Sequence, residues 1–447
     1  MNRILTEARE CWESLSAFRR KRNRCRDYTF GRQWNDIIEI NGRRMTEYEY
    51  IISEGNIPLK NNLIRRIVRN VIGVFRKDFS TKIKELPSEL SATFKENSLE
   101  ELYCRTLEEF LISGVAIHRK HFGIQNGKPG LHTDIVSPSS FFYNTSSRDF
   151  RGNDIDLIGQ LHEVSLREWC SFFVNDPESY RKAKILFGNG NRKVRITEVW
   201  KREERPGYLI HDKQQGRLLR RDPESVSAEH LDMPYRWTLE DTWRFYFLTD
   251  NGDVILEGDS PYIHGSHPFV FKGYPFLDGE IHSLVADMID QQRYTNRLIT
   301  LYDWVIRASA KGVLLLPEGA VEPEDLQNVA DQWGRFNGVI VYKATNGNPP
   351  PQQVSGNATN IGIGELLDIQ LKMFEDVSGV NGALRGNLSS NTTSGTLYNQ
   401  QTENAMNSLN DLFGTFYTFI DECTRMDLSL LRQTTDYKRE IFQCQAS

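Results

Sequence analysis

The sequence predicts an α+β protein, and three observations carry that reading. Residues 278–311 and 396–434 each keep apolar side chains at three-to-four spacing over a very long stretch, the mark of long helices. Residues 115–276 instead alternate β-branched and aromatic side chains between turn signals, the mark of strands. Between the long helices lies a short excursion, 312–357, with two apolar strand-like runs and a loop rich in Pro, Gly and Gln.

The elements are read in chain order. Residues 1–26 form a helix whose stripe is Ile4, Ala8, Cys11, Trp12, Leu15 and Phe18 and whose end is the basic run Arg19–Arg26. A basic helix end is ordinarily a solvated face or a subunit contact, with phosphate contact the sharper alternative. An aromatic turn, Tyr28 to Trp34, follows. A second helix runs from Asn62 to about Asp78 with Leu63, Ile67, Val71 and Val74 inward. A third covers Leu99 to Ser113 and stops at Gly114.

Strands are expected at 116–123, 154–164, 194–203, 208–211, 243–248 and 254–256, with hairpin turns at Asn126-Gly127 and Asn251-Gly252. Ser165 and Glu168 open a short helix through a capping box. Residues 212–233 are polar and read as an insertion.

The first long helix starts at Asp278 as N-cap and has a polar centre, Asp290 to Arg297. A polar centre resists burial in a single chain and suits a helix packed against copies of itself around water. The excursion holds a strand at 312–316, a helix at 321–336, a strand at 338–342 and a loop at 346–356. The return helix, 364–380, places Leu366, Leu367, Leu371, Phe374 and Val377 inside. Residues 381–395 lack periodicity and read as a loop. The final helix runs to Arg432, with Gly414 a candidate kink.

The composition is that of a soluble globular chain: 447 residues, 39% hydrophobic and 26% charged. No apolar run is long enough to cross a membrane, and the first residues lack the apolar segment of a secretory signal. Six scattered cysteines without a CxxC pair suggest free thiols in a reducing compartment. Charge is uneven. Residues 1–80 carry 17 Lys and Arg against 10 Asp and Glu, whereas 278–380 carry 7 against 14. A protein that grips DNA tightly needs a basic surface. One that lets DNA pass can carry an acidic wall.

Catalytic and metal motifs are weak, so no enzyme activity, cofactor or metal is expected. His118/His121 and His264/His267 are three apart but lack the further ligands zinc needs. His132-Thr-Asp134 has no nucleophile elbow beside it. No GxxxxGK[ST] loop is present, so the chain is no ATP-driven motor. Gly362-Ile-Gly364 lacks the rest of a dinucleotide fingerprint. Glu375-Asp376 and the acids at 322–325 suit solvated faces.

The order of parts resembles a tailed-bacteriophage portal protein. The stretches that carry the likeness are Tyr28…Gly31-Arg-Gln-Trp34 (Y-x-x-G-x-Q-W), Asn62-Leu-Ile…Val71-Ile-Gly73, Ile135-Val-Ser-Pro138, His267-Pro-Phe, Tyr274-Pro, Asp290-Gln-Gln…Asn296 (D-x-Q-x-x-x-N) and Val377-Ser-Gly-Val…Gly386…Ser394-Gly395. The 174–265 region matches no motif, and the chain stops soon after its last helix.

That resemblance implies a portal-like α+β fold. Its wing would be 1–277 and its first stem helix 278–311. A small α/β clip would take 312–357, a second stem helix 358–380 and a tunnel loop 381–395. A long wing helix, 396–434, would precede a short tail or vestigial crown, 435–447. The implied protein is a homo-oligomeric ring, a dodecamer in virions, at one capsid vertex, made in the host cytoplasm. Double-stranded DNA would pass its lumen during packaging and ejection. Its partners would be the major capsid and scaffolding proteins, the packaging terminase and a head-tail adaptor. The stem wall would comprise Asp287, Asp290, Gln291, Asn296, Glu365, Asp368 and Glu375. The tunnel loop would present Arg385, Asn387, Ser389, Ser390, Asn391, Thr392 and Thr393. Two other readings compete: another phage ring component such as a connector or baseplate protein, and an enzyme on nucleic acid with its site in 115–276.

Overall fold

The computed structural model describes residues 2–83, 94–125, 128–174, 176–188, 192–212, 217–221, 235–311, 313–316, 321–334, 352–354, 362–380, 407 and 409–446. The Asn381–Gly395 loop, the strand expected at 338–342 and the Asn126-Gly127 turn lie outside them. The chain forms two compact units.

The first unit comprises residues 1–30, 64–288 and 378–447. Its amino end is two helices, Arg3–Ser14 and Ser16–Thr29, where one was expected. The break falls at Leu15, whose φ of −84° and ψ of 7° leave the α region. The basic run therefore sits on a separate helix, and two of its arginines, Arg19 and Arg22, are buried. Leu63–Ile83 and Leu99–Ser113 follow, the latter closed by Gly114 at φ 82°, as a left-handed cap requires.

The β region contains an antiparallel sheet ordered Val254–Asp259, Tyr235–Thr249, Val194–Asp212, Leu157–Val164, Phe141–Tyr143, with Arg217–Arg221 also pairing with Val194–Asp212. Two strands expected at 194–203 and 208–211 are one long strand, because Pro206 and Gly207 stay in register with Leu239 and Thr238. The residues 212–233 are not all insertion, since Arg217–Arg221 is a strand. A second sheet orders Phe269–Gly273, Val115–Gln125, Lys128–Ile135. In the first sheet Gly159 is required where Leu157–Val164 meets Val194–Asp212: a Cβ there would lie 2.1 Å from the Glu198 carbonyl oxygen. The capping box of Ser165 and Glu168 forms as expected.

The final helix, Asn410–Ala446, runs unbroken through Gly414 and continues past the expected end at 434. Leu412, Phe413, Phe416, Phe419, Ile420 and Cys423 are buried. So is Asp427, whose Oδ2 accepts from Lys120 Nζ at 2.8 Å, while Lys272 pairs with Glu422 at 2.8 Å. Two lysines on adjacent strands thus hold one helix.

The first long helix starts later than expected. Asp278 and Gly279 have φ of 52° and 81° and join Pro275–Leu277 to Glu280–Ile281 as a hairpin turn. The Asp-Gly pair is a turn signal, and Ser283 accepts from Ala286 N at 3.1 Å to begin the helix. Leu284–Lys311 follows, about 42 Å long at ~1.5 Å per residue.

The second unit comprises residues 31–63 and 289–377. Its amino-terminal part is the hairpin Ile37–Ile40 with Arg43–Thr46, then the helix Glu47–Ser53 behind a Thr46/Glu49 capping box. Val313–Leu315 pairs antiparallel with Gln352–Val354, a strand inside the expected 346–356 loop. Leu326–Gly334 and Ile363–Ser378 are helical.

Candidate functional site: the polar centre of the long helix

The expectation that the polar centre escapes burial in a single chain does not hold. Gln292, Thr295 and Asn296 are 0% exposed. Thr295 Oγ1 donates back to Gln291 O at 2.8 Å, whereas Gln292 and Asn296 face residues 59–63, which follow Pro58. Leu63 N donates to Gln292 Oε1 at 2.9 Å, Asn61 N to Asn296 Oδ1 at 3.1 Å and Leu59 N to Thr300 Oγ1 at 3.1 Å. Every second amide meets every fourth helical side chain. The two repeats match because four helical residues rise ~6 Å and two extended residues span ~6.6 Å. Pro58 falls on the parity that faces away, so its missing N–H costs this ladder nothing.

The remaining polar atoms join the same network. Gln292 Nε2 donates to Asn61 O at 2.6 Å and to Asn296 Oδ1 at 2.9 Å. Asn296 Nδ2 donates to Gln33 Oε1 at 2.7 Å, and Gln33 Nε2 to Asn62 Oδ1 at 3.1 Å. Buried amides are tolerable only when satisfied this way. One turn along, Arg293 donates to Glu47 Oε1 at 3.0 Å through Nε, and Arg297 also bonds Glu47. Gln33, Asn62, Gln292 and Asn296 come from three separate sequence motifs, and the fold brings all four together.

Asn296 therefore braces the helix and does not reach solvent. The exposed face of the helix carries Asp287, Asp290 and Tyr294. Asp287 Oδ1 lies 2.5 Å from His282 Nε2. Gln291 is half-buried and accepts from Gln370 Nε2 on the return helix. The return helix has three faces. Ile363, Gln370 and Phe374 are buried; Glu365, Asp368, Lys372 and Asp376 are exposed; Glu375 is half-buried. Leu366, Ile369, Met373 and Val377 are 42–48% exposed. Leu366 and Val377 were expected inside. At 100° per residue they share a stripe with Ile369 and Met373 that is distinct from the Phe374 face. Arg385, Asn387, Ser389, Ser390, Asn391, Thr392 and Thr393, expected in a tunnel loop, lie outside the described residues.

In the β region the titratable side chains serve packing. Glu198 is fully buried, which by itself raises a carboxyl. Arg119, His162 at 2.7 Å and Trp200 Nε1 at 2.8 Å bring it down to about 2. His118 and His121 lie three apart on a strand, so they point to opposite faces. His118 packs against Phe419 and lies 2.6 Å from Thr106 Oγ1; burial, then Lys120, push it well below its ordinary value. His121 lines a cavity of about 430 Å3 and is lowered to about 4 by burial and then Arg119. Among the described residues no group of three or more His, Cys, Asp or Glu could hold a metal, and no helix is long and apolar enough to cross a membrane.

A family model described as phage P22-like portal protein matches residues 5–442. No curated protein matches the chain.

Proposed function

The chain belongs to the phage P22-like portal protein family, and from that premise we propose that its copies line a channel for double-stranded DNA. The family is structural and forms a portal ring at a capsid vertex. The observation that carries the finer reading is the exposed acidic surface of the two stem helices: Asp287 and Asp290 on one, Glu365, Asp368 and Asp376 on the other. Carboxylates repel phosphates, so a wall of them lets a duplex slide without adhering. Gln291 and Asn296 act behind this wall as braces.

The remaining parts follow the portal plan. Residues 1–277 and 396–434 form the wing and 312–357 the clip. The clip docks the packaging terminase and later the head-tail adaptor. The wing meets the major capsid and scaffolding proteins. Residues 381–395 form the tunnel loop, where Arg385 and the neutral groups from Asn387 to Thr393 touch the duplex weakly. Twelve copies close the ring.

Negative-stain images of the purified chain test this. Rings with a central hole wide enough for a duplex support it; single particles at every concentration count against it. Deleting Asn387–Thr393 spares ring formation and impairs DNA retention. A deletion that blocks assembly instead makes the loop an interface.

A further inference from the structure

Side chains of the Ser16–Thr29, Leu63–Ile83 and Leu99–Ser113 helices, with Ser137 and Ser139, line a depression of about 620 Å3 in the first unit. Four guanidiniums, of Arg22, Arg26, Arg65 and Arg105, face two carboxylates, Glu108 and Glu109. Glu109 takes Arg22 in two bonds, Nε at 2.9 Å and Nη2 at 2.7 Å. Glu108 pairs with both Arg65 and Arg105. Arg105 also reaches Glu101 at 2.9 Å, but Glu101 holds Arg76 as well, so it does not settle the balance. Arg26 is exposed and has no ion-pair partner among the described residues. Four cations against two anions leave a surplus of two positive charges.

The hydrogen bonding points the same way. Ser139 Oγ accepts from Arg22 Nη1 at 2.9 Å, and Ser137 Oγ accepts from Ser139 N at 3.3 Å. Each hydroxyl has spent acceptor capacity and keeps its own proton to give. Arg22 is only 7% exposed, so its charge is fixed in place by Glu109 and Ser139. The depression is a set of donors around a positive field.

We infer that this depression binds a phosphate group, held by Arg26, Arg105 and the Ser137 and Ser139 hydroxyls, with Arg22 as a fixed charge beside them. Guanidiniums and hydroxyls donate, and phosphate oxygens accept in charge-assisted bonds. Magnitude selects phosphate over carboxylate. A phosphate monoester carries about −1.5 to −2 charges at neutral pH and cancels the surplus, whereas a carboxylate cancels half of it. Two sources share this chemistry: a free phosphate monoester, or two neighbouring phosphates of a DNA backbone. All the residues belong to one chain, so the site does not rest on the ring reading.

Calorimetric titration of the full chain with inorganic phosphate at low salt tests the site. Saturable binding is expected, weakened about tenfold by Arg26→Ala and largely kept by Arg26→Lys. Arg181→Ala, which removes an exposed arginine on the Pro177–Phe187 helix, leaves binding unchanged. Arg26 is exposed, and unchanged melting curves show that its variants fold. A short DNA duplex separates the sources. If it displaces phosphate, and Arg26→Ala lowers its salt slope by about one, the site takes backbone phosphates. If adenosine monophosphate displaces phosphate and the duplex does not, the site takes a free monoester. Wild-type chain without saturable phosphate binding, or equal losses in Arg26→Ala and Arg181→Ala, overturns the inference. Hexaglutamate that binds more tightly than phosphate overturns it in favour of an acidic peptide.

Discussion

Asn296 Oδ1 accepts the backbone N–H of Asn61 at 3.1 Å, 235 residues away in sequence. This bond is the middle rung of a ladder whose outer rungs are Leu63 on Gln292 and Leu59 on Thr300. Side chains thus supply what a neighbouring strand would supply to an edge, and they fix the register of residues 59–63 against the helix. Rungs at successive turns resist sliding in a way that smooth apolar packing does not.

Asn296→Leu keeps the branched shape and removes three bonds. It removes the acceptor of the Asn61 N–H and of Gln292 Nε2 and the donor to Gln33 Oε1, and a buried group that loses its partner costs about 1–3 kcal/mol. Urea unfolding of the variant is expected to show a loss of several kcal/mol, against a change within ~0.5 kcal/mol for Asp290→Asn on the exposed face. Equal effects at the two positions would remove the bracing role.

The buried Lys120–Asp427 pair gives a second expectation. Burial raises the Asp427 carboxyl, against the pull of Lys120, and Asp427 Oδ1 has no partner. Lys120→Met leaves that carboxylate alone in the core and costs about 3–5 kcal/mol. The double variant Lys120→Met, Asp427→Leu recovers most of the loss, because no charge remains to be paired. A double variant as unstable as the single would mean that the ion pair itself stabilises the helix.

Much of the fold was legible because its signals are local. The Gly114 stop, the Ser165 capping box and the apolar stripe of the last helix depend on neighbours in sequence. The polar centre at Gln292–Asn296 was also visible, but not its meaning. Nothing local says that the amides of Leu59, Asn61 and Leu63 will lie beside it. Gln33, Asn62 and Asn296 stood out only as separate motif positions. Asp278 misled because Asp suits both an N-cap and an Asp-Gly turn, and the pairing of Pro275–Leu277 with Glu280–Ile281 decided between them. Asp427 was invisible for the same reason as the ladder: its partner is 307 residues away.

Acid should destabilise the first unit in two stages. His121 and His267 are held neutral, at about 4 and about 3, from an ordinary 6.5. The unfolded chain takes up their protons first, so stability is complete above pH 6.5 and falls as pH drops toward 3. Glu198 is lowered from 4.5 to about 2; its contribution is complete above 4.5 and is lost between there and 2. His267→Gln flattens melting temperature against pH between 6 and 4 at roughly these bounds, and Glu198→Gln flattens only the lower limb. An unchanged profile in either variant rules out that group.

Gly159→Ala separates close approach from glycine content. Its Cβ would stand 2.1 Å from the Glu198 oxygen and 2.5 Å from the Phe142 ring, whereas a Cβ at Gly130 meets nothing within 4 Å. Overpacking of a rigid core costs about 1–3 kcal/mol or more. Thermal melts should show Gly159→Ala strongly destabilised and Gly130→Ala nearly unchanged.

Asp290→Lys and Asp368→Lys test the proposed channel wall. Both positions are exposed, so neither change removes a buried contact, and rings should assemble at wild-type yield. In a ring each substitution is repeated in every copy, which converts a repelling belt into an attracting one. Phosphate contacts strengthen binding steeply at low salt and weakly at high salt. In vitro packaging and ejection are therefore expected to slow in the Lys variants, with the defect shrinking as salt rises. The Asn variants at the same positions should fall between. Wild-type rates at low salt with rings intact would place this acidic face away from the DNA.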